Sequence, residues 1–308
     1  MTTQIHPSQS TDKPDLRIVP LGRLVEHEFN DAQRTWPLAQ RLKAEGLLKN
    51  PPIAASLAEE EGEDDPSTGS GRDPSTGSGR DARLVVLDGA NRVTALNSLG
   101  YLHILVQVVR YEQPFVTLTT WHHVVTGMDQ EQFSADLNAL EGLEFQPLDL
   151  LHARAGLSRR EFLAYIIRAD GHVFAARTEA PRRNVHEQNR LLNAMVDTYK
   201  DRGKLFRATT DNLDEAGHLY PDLTGLVIFP NYDPAEVLAL ARDGELLPTG
   251  LTRHLIQGRA LRTNYPLSEL SSSDTLEAKN ARLQAWLKQK LASKEIRFYG
   301  EATYLFDE

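Results

Sequence analysis

The sequence predicts an α/β fold of the mixed α+β kind, built from two units. Short Val- and Leu-rich runs alternate with segments of helical apolar spacing over residues 15–125, which is the pattern of a compact mixed unit. Helix and strand patterns continue over residues 126–308. A chain of 308 residues is long enough for a second domain.

Composition excludes several classes of function. The chain has 43 acidic and 34 basic residues and a net charge of -9, which disfavours broad electrostatic binding to nucleic acid but permits a local basic face. It has no cysteine, so disulfides, thiolate zinc sites and a cysteine nucleophile are excluded. No apolar run is long enough to span a membrane and no signal-peptide core is present, so the cytoplasm is the expected location.

The first unit follows a polar tail over residues 1–14, which we predict to be disordered. One helix is predicted over 32–45, with Gly46 after it, and another over 91–99, with Gly100 after it. An apolar run over 115–125 closes the unit. Runs rich in β-branched residues and leucine predict strands over 16–19, 53–57, 83–87 and 103–111.

Residues 58–82 differ from the rest of this unit. An acidic run is followed by two copies of DPSTGSGR, over 65–72 and 73–80. Gly/Ser/Pro-rich sequence cannot bury a core, so we predict a flexible acidic insert between two strands of a hairpin. The STGSGR segment lacks the Lys-Ser/Thr ending of a phosphate-binding loop, so we do not interpret it as one.

The second unit has a less regular pattern. The helix over 158–168 is predicted from Ser158 and from Glu161 three residues later, as in a capping box. Residues 248–265 are predicted to be a Gly/Pro-flanked connection. Further helices are predicted over 129–142, 185–200, 234–242 and 274–290, and strands over 171–177, 223–229 and 296–306.

The stretch RLVVLDGANRVTALNSLG at 83–100 organises the first unit. A buried strand, a tight Asp88-Gly89 turn and a helix N-terminus together attract anions, because free backbone N–H groups and the helix dipole favour negative charge. Gly89 permits close approach to the backbone, and Arg92 can bind phosphate oxygens with two N–H groups. The alternative is an ordinary helix capped by Asp88, with Arg92 in solvent.

Two carboxylates near this turn are candidates for catalysis. Asp88 beside a bound phosphate would need a cation between them, which predicts a direct or water-mediated Mg²⁺ ligand. Glu28, in the EHE segment at 26–28, fits a general base that takes a proton from a hydroxyl as it attacks phosphorus. A solvated loop carboxylate is the alternative for Glu28.

Other polar residues group further along the chain. His122 and His123 are adjacent, so in a strand they point to opposite faces and are not expected to share a metal. Trp121 is apolar bulk that fits a core as well as a ligand platform. Thr252-Arg253-His254, with Arg259 and Arg262 nearby, predicts either a second anion site or a basic loop on an acidic surface.

The order of these motifs resembles the free L-serine kinases of the ParB/sulfiredoxin-like fold, including O-phospho-L-serine synthases of siderophore biosynthesis. Residues 88–100 resemble the nucleotide-binding box of this fold, and two other branches of the fold match it less well. Sulfiredoxins need a cysteine in the box, and this chain has none. ParB proteins usually have Glu-Arg in place of Ala90-Asn91 and a basic helix-turn-helix region next, whereas the segment that follows here is not strongly basic. The acidic insert has no expected counterpart. Gly89, Arg92 and Ala95 match the Gly-x-x-Arg-x-x-Ala pattern of the fold as a whole. The motifs that match the kinases in order are Val19-Pro20, His27-Glu28, Gly46, Ile53, Asp88-Gly89-Ala90-Asn91-Arg92, Val106-Gln107-Val108, Trp121 and Thr252-Arg253-His254 with the Arg-rich stretch 259–267.

The resemblance implies a nucleotide-binding domain over 15–125 and a substrate-binding domain over 126–308, with a cleft between them. Such a kinase would transfer a phosphoryl group from ADP or ATP to free L-serine. Glu28 would be the base, and Asp88 would lie at the phosphates or their Mg²⁺. The implied nucleotide-binding residues are Gly89, Ala90, Asn91 and Arg92, and the implied substrate-binding residues are Trp121, Thr252, Arg253 and His254.

Two other functions remain open from the sequence. A ParB-like, nucleotide-dependent DNA-binding transcriptional regulator would use GLSRREFLAYI at 156–166 as part of a DNA-reading helix pair, with Arg159 and Arg160 on phosphates. A nucleotide-hydrolysing protein with a different hydroxyl acceptor would share the same turn. The sequence does not distinguish ADP from ATP as donor.

Overall fold

The computed structural model describes residues 13–30, 32–58, 83–178 and 184–298. Most of the predicted tail over 1–14 and of the predicted insert over 58–82 lies outside these residues, and so does most of the predicted last strand over 296–306. Its described residues, 296–298, are not in a strand. In the described part of the chain, no helix is both long and apolar enough to cross a bilayer.

The strands and helices confirm a mixed α/β fold. A short 3-10 turn, Leu21–Arg23, lies between the first two strands. The strands are β1 (Asp15–Pro20), β2 (Leu24–Val25), β3 (Leu47–Leu48), β4 (Ile53–Ser56), β5 (Leu84–Asp88), β6 (His103–Val109), β7 (Val116–Thr120), β8 (His122–Thr126), β9 (Glu144–Leu148), β10 (Ala164–Arg168), β11 (Val173–Arg177), β12 (Lys204–Ala208), β13 (Leu223–Ile228), β14 (Thr252–Ile256) and β15 (Tyr265–Pro266). The helices are α1 (Ala32–Glu45), α2 (Ala90–Ser98), α3 (Gln130–Asn138), α4 (Leu150–Ser158), α5 (Val185–Asp197), α6 (Leu213–Leu219), α7 (Pro234–Arg242), α8 (Leu267–Ser271) and α9 (Leu276–Ala292).

The first sheet has five strands in the order β1-β6-β4-β5-β2. Strands β4 and β5 pair antiparallel, as the predicted hairpin requires. Ile18, Leu96 and Ile104 are among the fully buried residues of its core, because alternate strand residues and one face of α2 point inward. Strand β5 runs directly into α2, so the Asp88-Gly89 turn lies at the end of a strand bonded on both sides.

The second sheet has six antiparallel strands in the order β12-β8-β13-β10-β11-β9. Helix α5 covers it with the apolar face that the sequence predicts, and Leu191, Leu192, Met195 and Val196 are buried in its core. The aromatic residues Phe133 and Tyr199 fill the same core. The first strand of this sheet along the chain is β8, which begins two residues after the end of β7.

The last part of the chain returns to the first sheet. Strand β14 pairs with β7, and β15 pairs with β3. Helix α9 packs against β1, and Tyr265 and Leu283 join the core of the first sheet. This return path carries the segment 249–260 past the end of β5. The domain boundary at residue 125 stays a prediction.

The predicted helix over 158–168 is wrong. Ser158 is the last residue of α4, and this helix is capped by Asp149, whose side chain accepts a hydrogen bond from the His152 N–H. Residues 164–168 form β10, in the interior of the second sheet. A short, continuous apolar run does not distinguish a buried strand from a buried helix by its period, so the Ser158-Glu161 pair was a misleading signal.

Candidate functional site

The predicted strand, turn and helix at 84–98 are present. Gly89 is the N-cap of α2 and has a φ of 89°, a left-handed conformation that favours glycine. A Cβ atom at Gly89 would lie 2.6 Å from a terminal nitrogen of Arg92 and 3.0 Å from the Cα of Pro52. Glycine is needed here because the Arg92 guanidinium folds back over the turn.

Two guanidinium groups meet the Asp88 carboxylate. Arg92 Nη2 lies 3.0 Å from Asp88 Oδ2, and Arg259 Nη2 donates to the same oxygen. Burial lowers the pKa of Arg92, the Asp88 charge opposes that shift, and the charge of Arg259 adds to it. Two cations and one carboxylate leave this turn with a net positive charge, which attracts anions.

Polar atoms around the turn lack partners. The Nε atoms of Arg92 and Arg259 and the Oδ1 atom of Asn91 are buried without a hydrogen bond. A buried N–H without an acceptor is costly, and phosphate oxygens would supply acceptors for both Nε–H groups. These orphaned donors favour an anion at the turn over a purely structural helix cap.

The same residues do not fit a protein-held magnesium ion. Mg²⁺ takes oxygen ligands, commonly one or two carboxylates together with substrate phosphates. Asp88 Oδ2 is occupied by two guanidinium groups, and their charge would repel a dication. Among the described residues, no group of three His, Cys, Asp or Glu side chains is placed to hold a metal ion.

Glu28 lies where the EHE and TRH segments meet. Its Oε2 atom is 3.0 Å from the Gly250 N atom, and its Oε1 atom accepts a hydrogen bond from the Thr252 N–H. The carboxyl group is mostly buried, with its side chain 16% exposed. Glu28 is therefore held by backbone N–H groups more than 200 residues away along the chain, and is not a solvated loop carboxylate.

His27 and His254 fasten this junction to β5. His27 Nδ1 lies 2.6 Å from the Val86 carbonyl oxygen, and its Nε2 atom lies 2.7 Å from Thr252 Oγ1. His254 hydrogen-bonds the Leu87 carbonyl. Val86 and Leu87 directly precede Asp88, so the two histidines place Glu28 near the end of β5 at which the Asp88-Gly89 turn lies.

Tyr111 completes the group around His254. Its hydroxyl oxygen is 2.8 Å from His254 Nε2. Burial lowers the pKa of His254 well below its usual value, and the nearby His27 adds to the shift. Burial and the Glu28 charge raise the pKa of Tyr111. His254 is thus neutral, and it accepts from the Tyr111 hydroxyl while it donates to Leu87.

Trp121 and Arg253 form a stacked pair. The Arg253 guanidinium carbon is 4.8 Å from the centre of the Trp121 ring, within the range of a cation–π contact. The backbone N–H of Trp121 donates to the Leu251 carbonyl at 2.8 Å, which joins this residue to the segment that follows Gly250. Both side chains are half-buried, so the charge stays accessible.

His122 and His123 contact different groups, as alternation along a strand predicts. His123 is fully buried, with Nδ1 at 2.9 Å from the Tyr199 hydroxyl and Nε2 at 3.1 Å from the Thr249 carbonyl. Burial lowers its pKa to about 3. His122 accepts a hydrogen bond from the Phe229 N–H at 3.3 Å, and burial lowers its pKa to about 4.

The structure therefore brings most predicted site residues to one place. Glu28, Asp88, the turn at 89–92 and the segment 252–254 lie around the end of β5. Sequence patterns missed Tyr111 and Gly250, and suggested Arg259 only as part of a separate anion site. A glycine after Pro248 and a Tyr at the end of a predicted strand carry no local signal of function.

No family model matches the chain. It is 23% identical to the ATP-dependent L-serine kinase SbnI of Staphylococcus aureus, over 95% of this chain and 97% of that protein. A solved structure of SbnI from the same organism, with a C-terminal truncation, has a TM-score of 0.65 at 21% identity, and covers 91% of this chain and 97% of that one.

A second solved structure, a free serine kinase in complex with AMP, also has a similar fold. It has a TM-score of 0.62 at 18% identity, with 84% of this chain and 95% of that chain covered. The chain thus has the fold of the free serine kinases and is homologous to SbnI over nearly its whole length, which confirms the resemblance that its motifs predict.

Proposed function

We propose that this protein is a free L-serine kinase that transfers a phosphoryl group from ADP or ATP to the serine hydroxyl, giving O-phospho-L-serine. One observation carries the proposal. A held carboxylate, Glu28, and a positively charged turn, Asp88–Arg92, are fastened to the same end of β5 through His27 and Val86. Phosphoryl transfer to a hydroxyl requires this pairing of a base with an anion site.

The nucleotide phosphates would bind at the N-terminus of α2. The backbone N–H groups of Ala90 and Asn91 and the buried Nε–H groups of Arg92 and Arg259 would donate to their oxygens. A free serine kinase with this fold was solved with AMP, and a variant of it with ADP. Mg²⁺ would enter with the nucleotide and supply charge neutralisation at its phosphates.

Serine would lie between the turn and the stacked pair. Arg253, held over Trp121, would bind the serine carboxylate, because an arginine fork matches carboxylate geometry. Thr252 and His254 would shape this side of the site, since their polar side chains already bind His27 and Tyr111. These substrate assignments are part of the proposal.

The reaction would need few chemical groups. Glu28 would accept the proton of the serine hydroxyl as its oxygen bonds to the terminal phosphorus of the nucleotide. The bond between that phosphorus and its bridging oxygen would break, and AMP or ADP would leave. Arg92 and Arg259 would neutralise charge on the phosphoryl oxygens, so that catalysis would depend on positioning and electrostatic stabilisation.

The DNA-binding alternative has less support. The segment over 156–166 is the end of α4, a turn and the start of β10, and does not form a helix pair. Arg159 pairs with Glu161, and Arg160 pairs with Glu236. The arginines expected on DNA phosphates therefore bind carboxylates of the same chain.

A substrate panel tests the proposal. Purified protein would be incubated with Mg²⁺, ADP or ATP and, separately, L-serine, L-threonine and L-homoserine, and the products identified by ³¹P NMR and mass spectrometry. We expect O-phosphoserine from one or both nucleotides and little product from the other amino acids. Nucleotide hydrolysis without transfer to serine would overturn the assignment.

A further inference from the structure

We propose that His123, in the core of the second sheet, is a positioning residue for Glu28 and acts through the segment 249–252. This inference rests on the proposed function, since it assigns a task to the residue that supports the base. In the part of the chain that the structure describes, His123 has hydrogen bonds or ring contacts with Tyr199, Thr249 and Phe229, none of which belongs to the Asp88-Gly89 turn or to the stacked pair. Its effect would be transmitted through backbone that it holds from behind.

The first step is a fixed hydrogen bond from the core to the segment. A carbonyl oxygen only accepts, so the 3.1 Å contact between His123 Nε2 and the Thr249 carbonyl places the imidazole proton on Nε2. Nδ1 then accepts from the Tyr199 hydroxyl at 2.9 Å. Both ring nitrogens are thus satisfied, and the imidazole is locked in one tautomer.

The second step runs from the segment to the base. Gly250, the residue after Thr249, donates its N–H to Glu28 Oε2 at 3.0 Å, and Thr252 donates to Oε1. The peptide that connects Thr249 and Gly250 therefore accepts from His123 on its carbonyl side and donates to Glu28 on its N–H side. A peptide unit is planar and rigid, so fixing its carbonyl also fixes the direction of its N–H.

The Arg207 side chain packs close to the same glycine. It lies directly opposite His123 in the pairing of β12 with β8. Gly250 has a φ of 69°, and a Cβ atom there would lie 2.4 Å from Arg207 Nε. Side chains from two neighbouring strands of the second sheet thus lie against residues 249–250, and the Gly250 N–H donates to the carboxylate of Glu28.

A purely structural role for His123 is the competing explanation. A leucine would fill this core without a polar group to desolvate, whereas burying the imidazole has a desolvation cost that its two hydrogen bonds must offset. The two explanations differ in their kinetics. If the role of His123 is purely structural, its substitution lowers only the stability of the protein. If His123 positions Glu28, its substitution lowers kcat and leaves the nucleotide KM unchanged.

The test compares His123→Leu and His123→Gln with a control from the same strand. Thr126→Val is the control, because Thr126 is fully buried in β8 and its Oγ1 has no partner. We expect His123→Leu to lower kcat for serine phosphorylation roughly 10- to 100-fold through misplacement of the base. The Gln amide can donate to Thr249, so His123→Gln should recover most of the rate, and Thr126→Val should match the wild type.

The outcomes separate this inference from the proposed function. Wild-type kcat in His123→Leu would overturn it, as would a loss of the same size in Thr126→Val. If His123→Leu does not fold, Tyr199→Phe decides the question: the proposal predicts a fall in kcat of at least about threefold, and an unchanged kcat refutes it.

A second readout does not depend on serine phosphorylation. Hydrogen exchange at the Gly250 and Thr252 amides should be faster in the His123 or Tyr199 variant than in the wild type. Equal protection would refute the inference even in a protein that phosphorylates another acceptor. Failure of the wild type to phosphorylate serine would refute the proposed function alone.

Discussion

Arg259 offers the sharpest test of the phosphate site, because no local sequence pattern links it to Asp88. It lies 171 residues further along the chain, yet donates to the Asp88 carboxylate, and its Nε atom is buried without a partner. Arg259→Gln would remove one of the two positive charges at the turn. Arg92 would remain, paired with Asp88 at 3.0 Å.

The expected loss follows from the chemistry of the contact. A hydrogen bond to a charged group contributes about 1.5–3 kcal/mol. Its loss should therefore raise the dissociation constant roughly 10- to 150-fold. The loss should appear for AMP and ADP. Adenosine, which has no phosphate, should bind the variant and the wild type equally well.

Calorimetric titration with adenosine, AMP and ADP measures these differences. Arg262→Gln is the matched control, because it removes the same charge from the same returning segment. Arg262 is exposed and lies outside the Asp88-Gly89 turn. Unchanged AMP and ADP affinity in Arg259→Gln, or an equal loss in Arg262→Gln, would refute the phosphate site described above.

Two further predictions concern the base and the turn. Glu28→Gln should lower kcat by about 10²- to 10⁴-fold, which is the usual contribution of general base catalysis. The affinity for AMP, measured by titration, should stay the same. Undiminished turnover would remove Glu28 from the mechanism. Gly89→Ala should lower the free energy of unfolding by about 1–3 kcal/mol, because alanine disfavours a φ of 89°. It should also weaken ADP binding, because the new Cβ would displace the Arg92 guanidinium. Urea denaturation and titration measure the two effects, and a Gly46→Ala variant, at a positive φ with open space around it, separates backbone strain from the loss of Arg92.

Local patterns predicted the strand, turn and helix at 84–98 and the helix before them well. The bounds of α1 agree with the predicted helix over 32–45, because its apolar face and Gly46 are both local signals. The Asp88-Gly89 turn was predicted from a strand, a glycine and a helix that adjoin in sequence. The structure adds that Arg92 folds over Gly89, which explains why this position needs a glycine.

The rest of the site depends on contacts that no local pattern encodes. Glu28 meets Gly250 across 222 residues of chain, and His27 meets Thr252 across 225. The resemblance grouped Glu28 with the segment 252–254 but could not show that backbone N–H groups hold the carboxylate. The error over 158–168 has the opposite cause, since a convincing local cap signal was overridden by the pairing of β10 within the second sheet.

Mg²⁺ shows how a structure refines a chemical prediction. The sequence suggested that Asp88 binds the ion, on the argument that a carboxylate beside a phosphate needs an intervening cation. The structure supplies that cation as two arginines. Asp88 therefore has the geometry of a residue that orients Arg92 and Arg259 towards an anion.

The proposed kinase reaction requires the phosphates to lie at Arg92 and Arg259 and the serine hydroxyl to lie at Glu28. A crystal structure of the protein with AMP and L-serine measures this directly. We expect phosphate oxygens within ~3 Å of the Nε atoms of both arginines, and the serine hydroxyl within the same distance of a Glu28 oxygen. A nucleotide phosphate bound away from the Asp88-Gly89 turn, or a serine hydroxyl out of reach of Glu28, would contradict the account.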